Sequence, residues 1–564
     1  MNPLENASNT NDLKQIDIIK IYSEKNCLIV DDFPEIRGSL SRMIKSFGAK
    51  HIETAANGAE AIKLCQNKSF DIVLCDYNLG AGKDGQQVLE EVRFLRVLPM
   101  TSLFVMITGE SSREMVLGAL EYQPDDYITK PYTQASLRLR LDKAILRHQA
   151  LLHIKRSISL ANHNRALEQC TDMIDSRSRY AMDCLKIKAQ LHFLLKQFNA
   201  SVAIYQSVLM HKPLIWAKIG LGKTLLAQNK LKEADEILQS VLDEDQRYIE
   251  AHDLLADISI QGKDNLTAQK ALEQATYISP KAVLRHRKLA KIADINNDDE
   301  TTLKSHQQAI RWGTNSCHES EQDYFNYVRK IADLTNGNTS DEAKTMIQQA
   351  RKILTRARKR YAHKPDAMAQ AQMLETQLYL SQNDKINANK AAERAEFMYK
   401  ELEFPLIETS LEYARTLHAH KKEAQALELL IALAEENKDN KEILQTIDGI
   451  TGEAITEEGK KVAAKLTQNG IELYKGKNKN YKESIQVFSE ALLLYPKHIG
   501  LNLNLLQVLS SDGTENGCND QHQAMCKRHL HTVETIDLNE AQRRRYLFIK
   551  NQIEKFYPEI LHDI

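Results

Sequence analysis

The sequence predicts a two-part chain, a doubly wound α/β domain followed by a long all-α solenoid, and three observations carry that prediction. Short β-branched apolar runs in the first part each end in a polar side chain with chemistry to offer. After residue 150 helical periodicity takes over almost to the end, and glycine and proline become sparse. Within that second part, pairs of small residues recur thirty-four positions apart.

Residues 1–23 read as a polar tail, because Met1–Ser8 has neither the basic start nor the apolar stretch of a secretory signal. The first apolar run, Cys27-Leu28-Ile29-Val30, ends in Asp31-Asp32. A later one, Phe70-Asp71-Ile72-Val73-Leu74-Cys75, ends in Asp76. Leu103–Ile107 ends in Thr108, and Asp126-Tyr127-Ile128-Thr129 ends in Lys130, just before Pro131. Runs of this length and branching, separated by amphipathic helical stretches, are βαβ units in a buried parallel sheet. Ligands of such sheets lie beyond the carboxyl ends of the strands. Three carboxylates, a hydroxyl and an ammonium are therefore expected at one edge.

Carboxylates crowded together raise one another's pKa unless a cation sits among them. A hard divalent ion such as Mg²⁺ resolves the repulsion, held by one or two carboxylates together with water and phosphate oxygens. The Lys130 ammonium and the Thr108 hydroxyl then await a group richer in negative oxygen. A phosphoryl on Asp76 is the simplest such group, since carboxylates act as nucleophiles in phosphoryl transfer.

Residues 24–147 resemble the receiver domain of a two-component response regulator, through Asp31-Asp32, Asp76, Thr108-Gly109, Tyr127 and Lys130-Pro131. The resemblance implies a flavodoxin-like domain of strand order 2-1-3-4-5, with Asp76 as phospho-acceptor and Thr108 and Lys130 assisting. It implies Mg²⁺ held directly by Asp32 and Asp76, through water by Asp31, and by the backbone carbonyl of Asn78. Thr108 and Tyr127 would form the switch pair. The segment Asp76-Tyr77-Asn78-Leu79-Gly80-Ala81-Gly82-Lys83-Asp84-Gly85 departs from the family pattern. It lacks the usual proline, is one residue longer and carries two extra glycines that loosen the loop.

Residues 148–181 read as a helical linker, either stiff or hinged near Ser157-Ile158-Ser159. Beyond them Leu221-Gly222 and Glu233-Ala234 recur as Leu255-Ala256 and Thr267-Ala268, with Pro280 closing the unit and Leu289-Ala290 and Ala309 continuing it. Ala189, Phe198, Tyr205, Val208 and Pro213 fit a preceding unit, and Tyr481, Ser484, Phe488, Ala491 and Pro496 fit one near the C-terminus. Small residues at fixed places let paired helices approach, and no unit buries its apolar face alone. The pattern resembles the tetratricopeptide repeat over residues 182–316 and again within 457–564, with degenerate helical hairpins over 317–456. Turn-forming clusters predict breaks at Asn336-Gly337-Asn338 and at Ser510-Ser511-Asp512-Gly513.

At 564 residues the chain needs more than one core. A net charge of −1 gives no bulk attraction to nucleic acid or anionic lipid. No apolar stretch is long enough to span a bilayer, and eight scattered cysteines without framework spacing suit a reducing cytoplasm. The solenoid carries no phosphate-binding glycine loop, nucleophile elbow or His-Glu-x-x-His, so no separate enzymatic output is expected.

Two weaker signals have bland alternatives. The basic stretch Arg351–Lys364 reads better as a solvated helix face than as a nucleic-acid contact, and Arg543-Arg544-Arg545 likewise. Cys518, His522 and Cys526, with His529 and His531 behind, have zinc-ligand chemistry, but buried cysteines and surface histidines are the favoured reading.

The expectation is a cytoplasmic, phosphorylation-controlled signalling protein that takes phosphoryl from a histidine kinase or phosphotransfer protein. Its helical repeats would bind a protein partner or drive self-association to a homodimer, away from membranes. The rival readings are a nucleic-acid-binding regulator using residues 351–364, and a constitutive scaffold with the receiver as a docking module.

Overall fold

The computed structural model describes residues 18–109, 124–475, 479–517 and 520–556. Contacts divide the chain into two compact units, Met1–Tyr327 and Val328–Ile564.

The first unit begins with the α/β domain. Five parallel strands, β1 (Asn26–Val30), β2 (His51–Ala55), β3 (Ile72–Asp76), β4 (Leu103–Thr108) and β5 (Asp126–Thr129), form one sheet of order 2-1-3-4-5. β3 is buried along its whole length and β1 along all but its first residue, because helices cover both faces. The two-residue period divides the side chains between those faces. Leu28, Val30, Val73 and Cys75 pack with Leu89 and Val92 of the helix Gly85–Phe94. Cys27, Ile29, Ile72 and Leu74 pack with Leu40 and Ile44 on one helix and Leu141 and Ile145 on another. The register aligns Cys75 with Met106 and Asp76 with Ile107, so the polar strand ends are brought to one edge.

Local chemistry sets the helix starts. Pro34 opens the helix after β1. The Asn57 side chain accepts from the Glu60 N–H, and Asp84 forms a reciprocal capping box with Gln87. Residues 18–23, read from sequence as the end of a polar tail, are helical instead. Tyr22 is fully buried there, lies against Phe47, and donates its hydroxyl to Asp142 Oδ1 at 2.9 Å.

The helix Gln134–Ser159 runs unbroken through 26 residues, about 39 Å at 1.5 Å per residue. Its first half supplies Leu137, Leu141 and Ile145 to the α/β core. Its second half supplies Leu151 and Ile154 to a cluster with Ala166, Cys170, Cys184 and Leu191 of the first repeat helices. Of the stiff and hinged alternatives, the stiff one is found, because both halves are anchored by buried residues.

Antiparallel helix pairs follow. The turns inside successive pairs each hold one residue at positive φ, namely Lys196, Asn229, Lys263 and Asn297, which are 33, 34 and 34 positions apart. The small residues singled out from sequence are the close-approach points. Ala234, Ala256, Ala268, Ala290 and Ala309 are fully buried. A Cβ on Gly222 would come within 2.7 Å of Leu238 Cγ.

In the second unit helical hairpins continue through the stretch where sequence gave no clean register, including Asp341–Arg360, Pro365–Ser381, Lys385–Lys400, Ile407–Ala419 and Glu423–Glu436. The expected turn at residues 336–338 is present. The expected break at 510–513 is not. Those residues lie inside the helix Ile499–Asn516, with Ser510, Asp512 and Gly513 buried. The helix ends at Gly517 instead, with φ of +90°. The serine hydroxyls there hydrogen-bond within the protein, Ser511 to the Gln507 carbonyl at 2.9 Å and Ser510 to Gln552 at 3.3 Å, so burial overrides turn propensity. Among the described residues no helix is long and apolar enough to cross a membrane.

Candidate functional site: the carboxylate pocket at the strand ends

The structure brings together the residues that sequence placed at the strand ends. Asp31 and Asp76 are almost fully buried and Asp32 is half-buried, and one carboxylate oxygen from each lies within 4.8 Å of the others. Lys130 Nζ is 3.1 Å from Asp31 Oδ2 and 3.1 Å from Asp76 Oδ2, so a single ammonium bridges the two buried acids. Asp31 is held further by the Phe33 N–H on Oδ1 at 2.9 Å, and Arg37 donates to its backbone carbonyl at 2.7 Å. Asp76 Oδ1 accepts from the Tyr77 N–H at 3.0 Å. Thr108, buried at the end of β4, pairs with Thr129 beside Lys130, whose N–H donates to the Thr108 carbonyl. Tyr127 is half-buried against the core cluster that holds Val73 and Met106.

Burial pushes the Asp76 carboxyl up to about 6 from the usual carboxylate value, against the pull of Lys130, with Asp31 adding to the rise. The Lys130 pKa is raised as well. Burial disfavours its charge, but Asp76 and Asp31 outweigh burial and hold it above the ordinary lysine value.

The pocket fits a hard divalent cation. Its three acids outnumber its one ammonium, and Asp32 Oδ1 is buried without a hydrogen-bond partner. A buried carboxylate oxygen left unpaired is costly, and an oxygen-seeking ion removes that cost.

The lengthened loop after Asp76 is ordered by its own contacts. Gly80 and Gly82 take φ of +71° and +106°, and the Gly80 N–H donates to Asn78 Oδ1 at 3.2 Å. A Cβ on Gly85 would sit 2.1 Å from the Asp76 carbonyl oxygen, so the loop returns tightly beneath the site. Lys281, from the turn between repeat helices, meets the loop. Its Nζ lies 2.8 Å from Asp84 Oδ2 and 3.1 Å from the Tyr77 hydroxyl, and it sits over the Tyr77 and Trp312 rings at 5.0 and 5.8 Å. Lys83 Nζ donates to the Asn315 carbonyl, and His318 Nε2 is 3.0 Å from Glu90 Oε1. Sequence reasoning missed these residues, since they sit some two hundred positions from the loop and belong to no local motif.

Several residues of the weaker sequence signals make contacts within the protein. Cys526 is fully buried, His522 Nδ1 lies 3.2 Å from Asp512, and His529 Nδ1 lies 2.8 Å from Asn502 Oδ1. Cys518 lies outside the described residues. In the basic stretch Arg351 covers the Tyr379 ring at 4.6 Å, Arg358 pairs with Glu375 at 2.6 Å, and Lys364 sits over Tyr361. Arg545 donates to Asn504 Oδ1 at 2.7 Å.

Comparison with known proteins matches both regions of the chain. The family model for the response regulator receiver domain matches residues 27–142, and that for the tetratricopeptide repeat matches residues 192–258. The chain is 34% identical to chemotaxis protein CheY-3 of Vibrio cholerae over 119 residues, which cover 21% of this chain and 88% of that protein. Identity to chemotaxis protein CheY of Pseudomonas aeruginosa is 29% over 119 residues, 21% of this chain and 92% of that one. Among solved structures, a CheY-like receiver domain from Methanospirillum hungatei is 28% identical, covering 22% of this chain and 96% of its own, with a TM-score of 0.21. Its N-terminal domain places this chain in the response regulator receiver family, and a tetratricopeptide-repeat region follows that domain.

Proposed function

We propose that the chain is a phosphorylation-controlled member of a two-component relay in which Asp76 is the phospho-acceptor and the helical repeats carry the output. One observation supports this most: a single ammonium, Lys130, bridges Asp76 and Asp31 at the carboxyl edge of the sheet, beside a third acid.

The donor is a phosphohistidine on a kinase or phosphotransfer protein. An Asp76 carboxylate oxygen forms the new bond to phosphorus, the phosphorus–nitrogen bond breaks, and the released imidazole takes up a proton. Asp32 and Asp76 would hold Mg²⁺ directly, with Asp31 acting through water and the Asn78 carbonyl completing the protein ligands. The ion supplies charge neutralisation for the phosphoryl oxygens. Lys130 then turns from bridging two acids to pairing with the phosphoryl, and Thr108 offers its hydroxyl to the same group. The Tyr77 N–H and Lys130 fix the Asp76 carboxylate before the donor arrives, so little reorganisation remains.

The output is a change in the protein surface that the repeats offer to partners or to a second copy. Thr108 and Tyr127 form one switch element. The Tyr77–Asp84–Lys281 contact is a second route, because it joins the residue after Asp76 to the repeats directly. The free cysteines, six of them buried among the described residues, suit a cytoplasmic setting. The nucleic-acid reading is weakened by Arg351 and Arg358, which are engaged with Tyr379 and Glu375.

The full chain should gain one phosphoryl from acetyl phosphate with Mg²⁺, read by intact mass, and Asp76→Asn should not. Affinity capture with and without the donor then compares partners. Labelling that persists in Asp76→Asn refutes the acceptor assignment. Identical partners and affinities with and without label refute the switch.

A further inference from the structure

We infer that Glu90, Cys317 and His318 form a second metal site, selective for a borderline-soft divalent cation of the zinc type, which staples the receiver to the repeat region. Glu90 comes from the receiver helix Gly85–Phe94, and Cys317 and His318 from the turn after the repeat helix Asp299–Gly313. One ligand atom from each lies within 4.8 Å of the other two, and His318 Nε2 is 3.0 Å from Glu90 Oε1. All three are half-buried, which leaves an edge through which an ion and one water can enter.

The donor set decides the metal. A thiolate disfavours Mg²⁺ and Ca²⁺, which take oxygen ligands. Sulfur, imidazole and carboxylate together suit Zn²⁺, with three protein ligands and a fourth position open to water. Tetrahedral Zn²⁺ places its ligand atoms about 3.3–3.8 Å apart, inside the 4.8 Å span these three atoms already share, and the hydrogen-bonded Glu90–His318 pair opens by a few tenths of an ångström to reach it.

The turn that carries two of the ligands is fixed from behind, as metal sites require. Arg287 grips Asp323 with two bonds, at 2.7 and 2.8 Å, and donates to the His318 carbonyl. The Ser316 N–H donates to the Gly313 carbonyl at 2.9 Å, and Ser316 Oγ accepts from the His318 N–H at 3.2 Å. On the receiver side, Phe94 meets the His318 ring edge-on at 5.4 Å, and Lys83 reaches the Asn315 carbonyl. The ligands thus come from two sequence-distant elements already in contact, and the site is distinct from the Asp31–Asp32–Asp76 pocket in position and in chemistry.

The test uses the full chain, stripped with chelator and held in excess Mg²⁺ so that the carboxylate pocket is occupied. Co²⁺ is titrated in as a spectroscopic probe, then displaced by Zn²⁺. The expected result is one equivalent of Co²⁺ with a thiolate charge-transfer band, abolished by Cys317→Ser, unchanged by Cys518→Ser, and at least about tenfold weaker in Glu90→Gln. Zn²⁺ should also raise the melting temperature of wild type but not of Cys317→Ser. The inference is overturned if Co²⁺ binds without a thiolate band, if the band survives Cys317→Ser, or if it is lost in Cys518→Ser. Circular dichroism of each variant confirms that a lost band is not lost folding.

Discussion

The Lys281 ammonium lies 2.8 Å from the Asp84 carboxylate, and the same ammonium sits over the ring of Tyr77, the residue after Asp76. Burial works against the charge on Lys281, but Asp84 and Tyr77 outweigh it and hold the lysine above its ordinary pKa. The pair is only about one-fifth exposed, so solvent screens it less than a surface ion pair. Lys281→Met keeps the aliphatic stem and removes the charge. The substitution should cost the contact about 1–2 kcal/mol and leave the Asp84 capping box to Gln87 intact. Hydrogen exchange should then speed up by about 5–30-fold in peptides around residues 77–85 and 280–286, with the sheet core unchanged. Unaltered exchange in both segments would show that the contact does not hold the loop.

Asp76 should make the receiver's stability depend on pH in an unusual direction. Burial raises its carboxyl in the folded state to about 6, above the usual carboxylate value. A raised acid stabilises the fold most below its unfolded pKa, and that contribution is lost as pH rises through the folded value. Asp76→Asn should therefore stabilise the ion-free protein at pH 7.5 by up to about 3 kcal/mol, and by about half as much at pH 5. Mg²⁺ should reduce the difference at neutral pH by favouring the charged acid, and its affinity should fall below about pH 6 as Asp76 takes up a proton. Thermal melts of wild type and Asp76→Asn at both pH values, with EDTA or Mg²⁺, check each sign.

The pocket was legible in sequence because its signal is local. Asp31, Asp32, Asp76, Thr108 and Lys130 each end a short apolar run, and a parallel sheet carries every strand end to one edge. The repeats were legible where small residues mark helix crossings, as at Gly222 against Leu238. Local rules failed where long-range burial decides the outcome. Nothing in residues 18–23 announces that Tyr22 will be buried beside Asp142. Ser510–Gly513 has turn composition, yet its helix is held by packing against the helix Glu540–Phe556, where Ser510 meets Gln552. The meeting of Glu90 with Cys317 and His318 depends on where the helix Gln134–Ser159 directs the repeats, which no window of sequence contains.

The helix crossings should be intolerant of a single methyl group. A Cβ on Gly220 would lie 2.2 Å from the Tyr205 ring, inside a cluster that also holds Leu238 and Leu254. Gly220→Ala gains about 1 kcal/mol of helix propensity but forces overpacking that costs about 1–3 kcal/mol. The net change should be destabilising, and Tyr205→Leu in the same chain should recover part of it by removing the ring. Denaturant midpoints of the two single variants and the double variant measure the coupling. Strict additivity would show that the ring yields freely.

Glu412 should be the most sensitive charged residue of the second unit. It is fully buried and takes Arg329 on Oε2, with Arg415 3.5 Å away and Gln377 donating to Oε1 at 2.7 Å. Burial alone would raise its pKa, yet the two guanidiniums outweigh burial and hold the carboxyl below the usual range. Its stabilisation is thus present above the unfolded carboxylate pKa and lost as pH falls through the lower folded value. Glu412→Ala leaves two guanidiniums facing an empty site and should cost about 3–5 kcal/mol. Both tryptophans, Trp216 and Trp312, belong to the first unit. Their fluorescence therefore follows that unit while far-ultraviolet circular dichroism follows helices in both. In urea, Glu412→Ala should split the two signals, with part of the helical signal melting early and the tryptophan transition staying in place. An equal shift in both signals would mean that the two units unfold as one, and the penalty would then be shared across the whole chain.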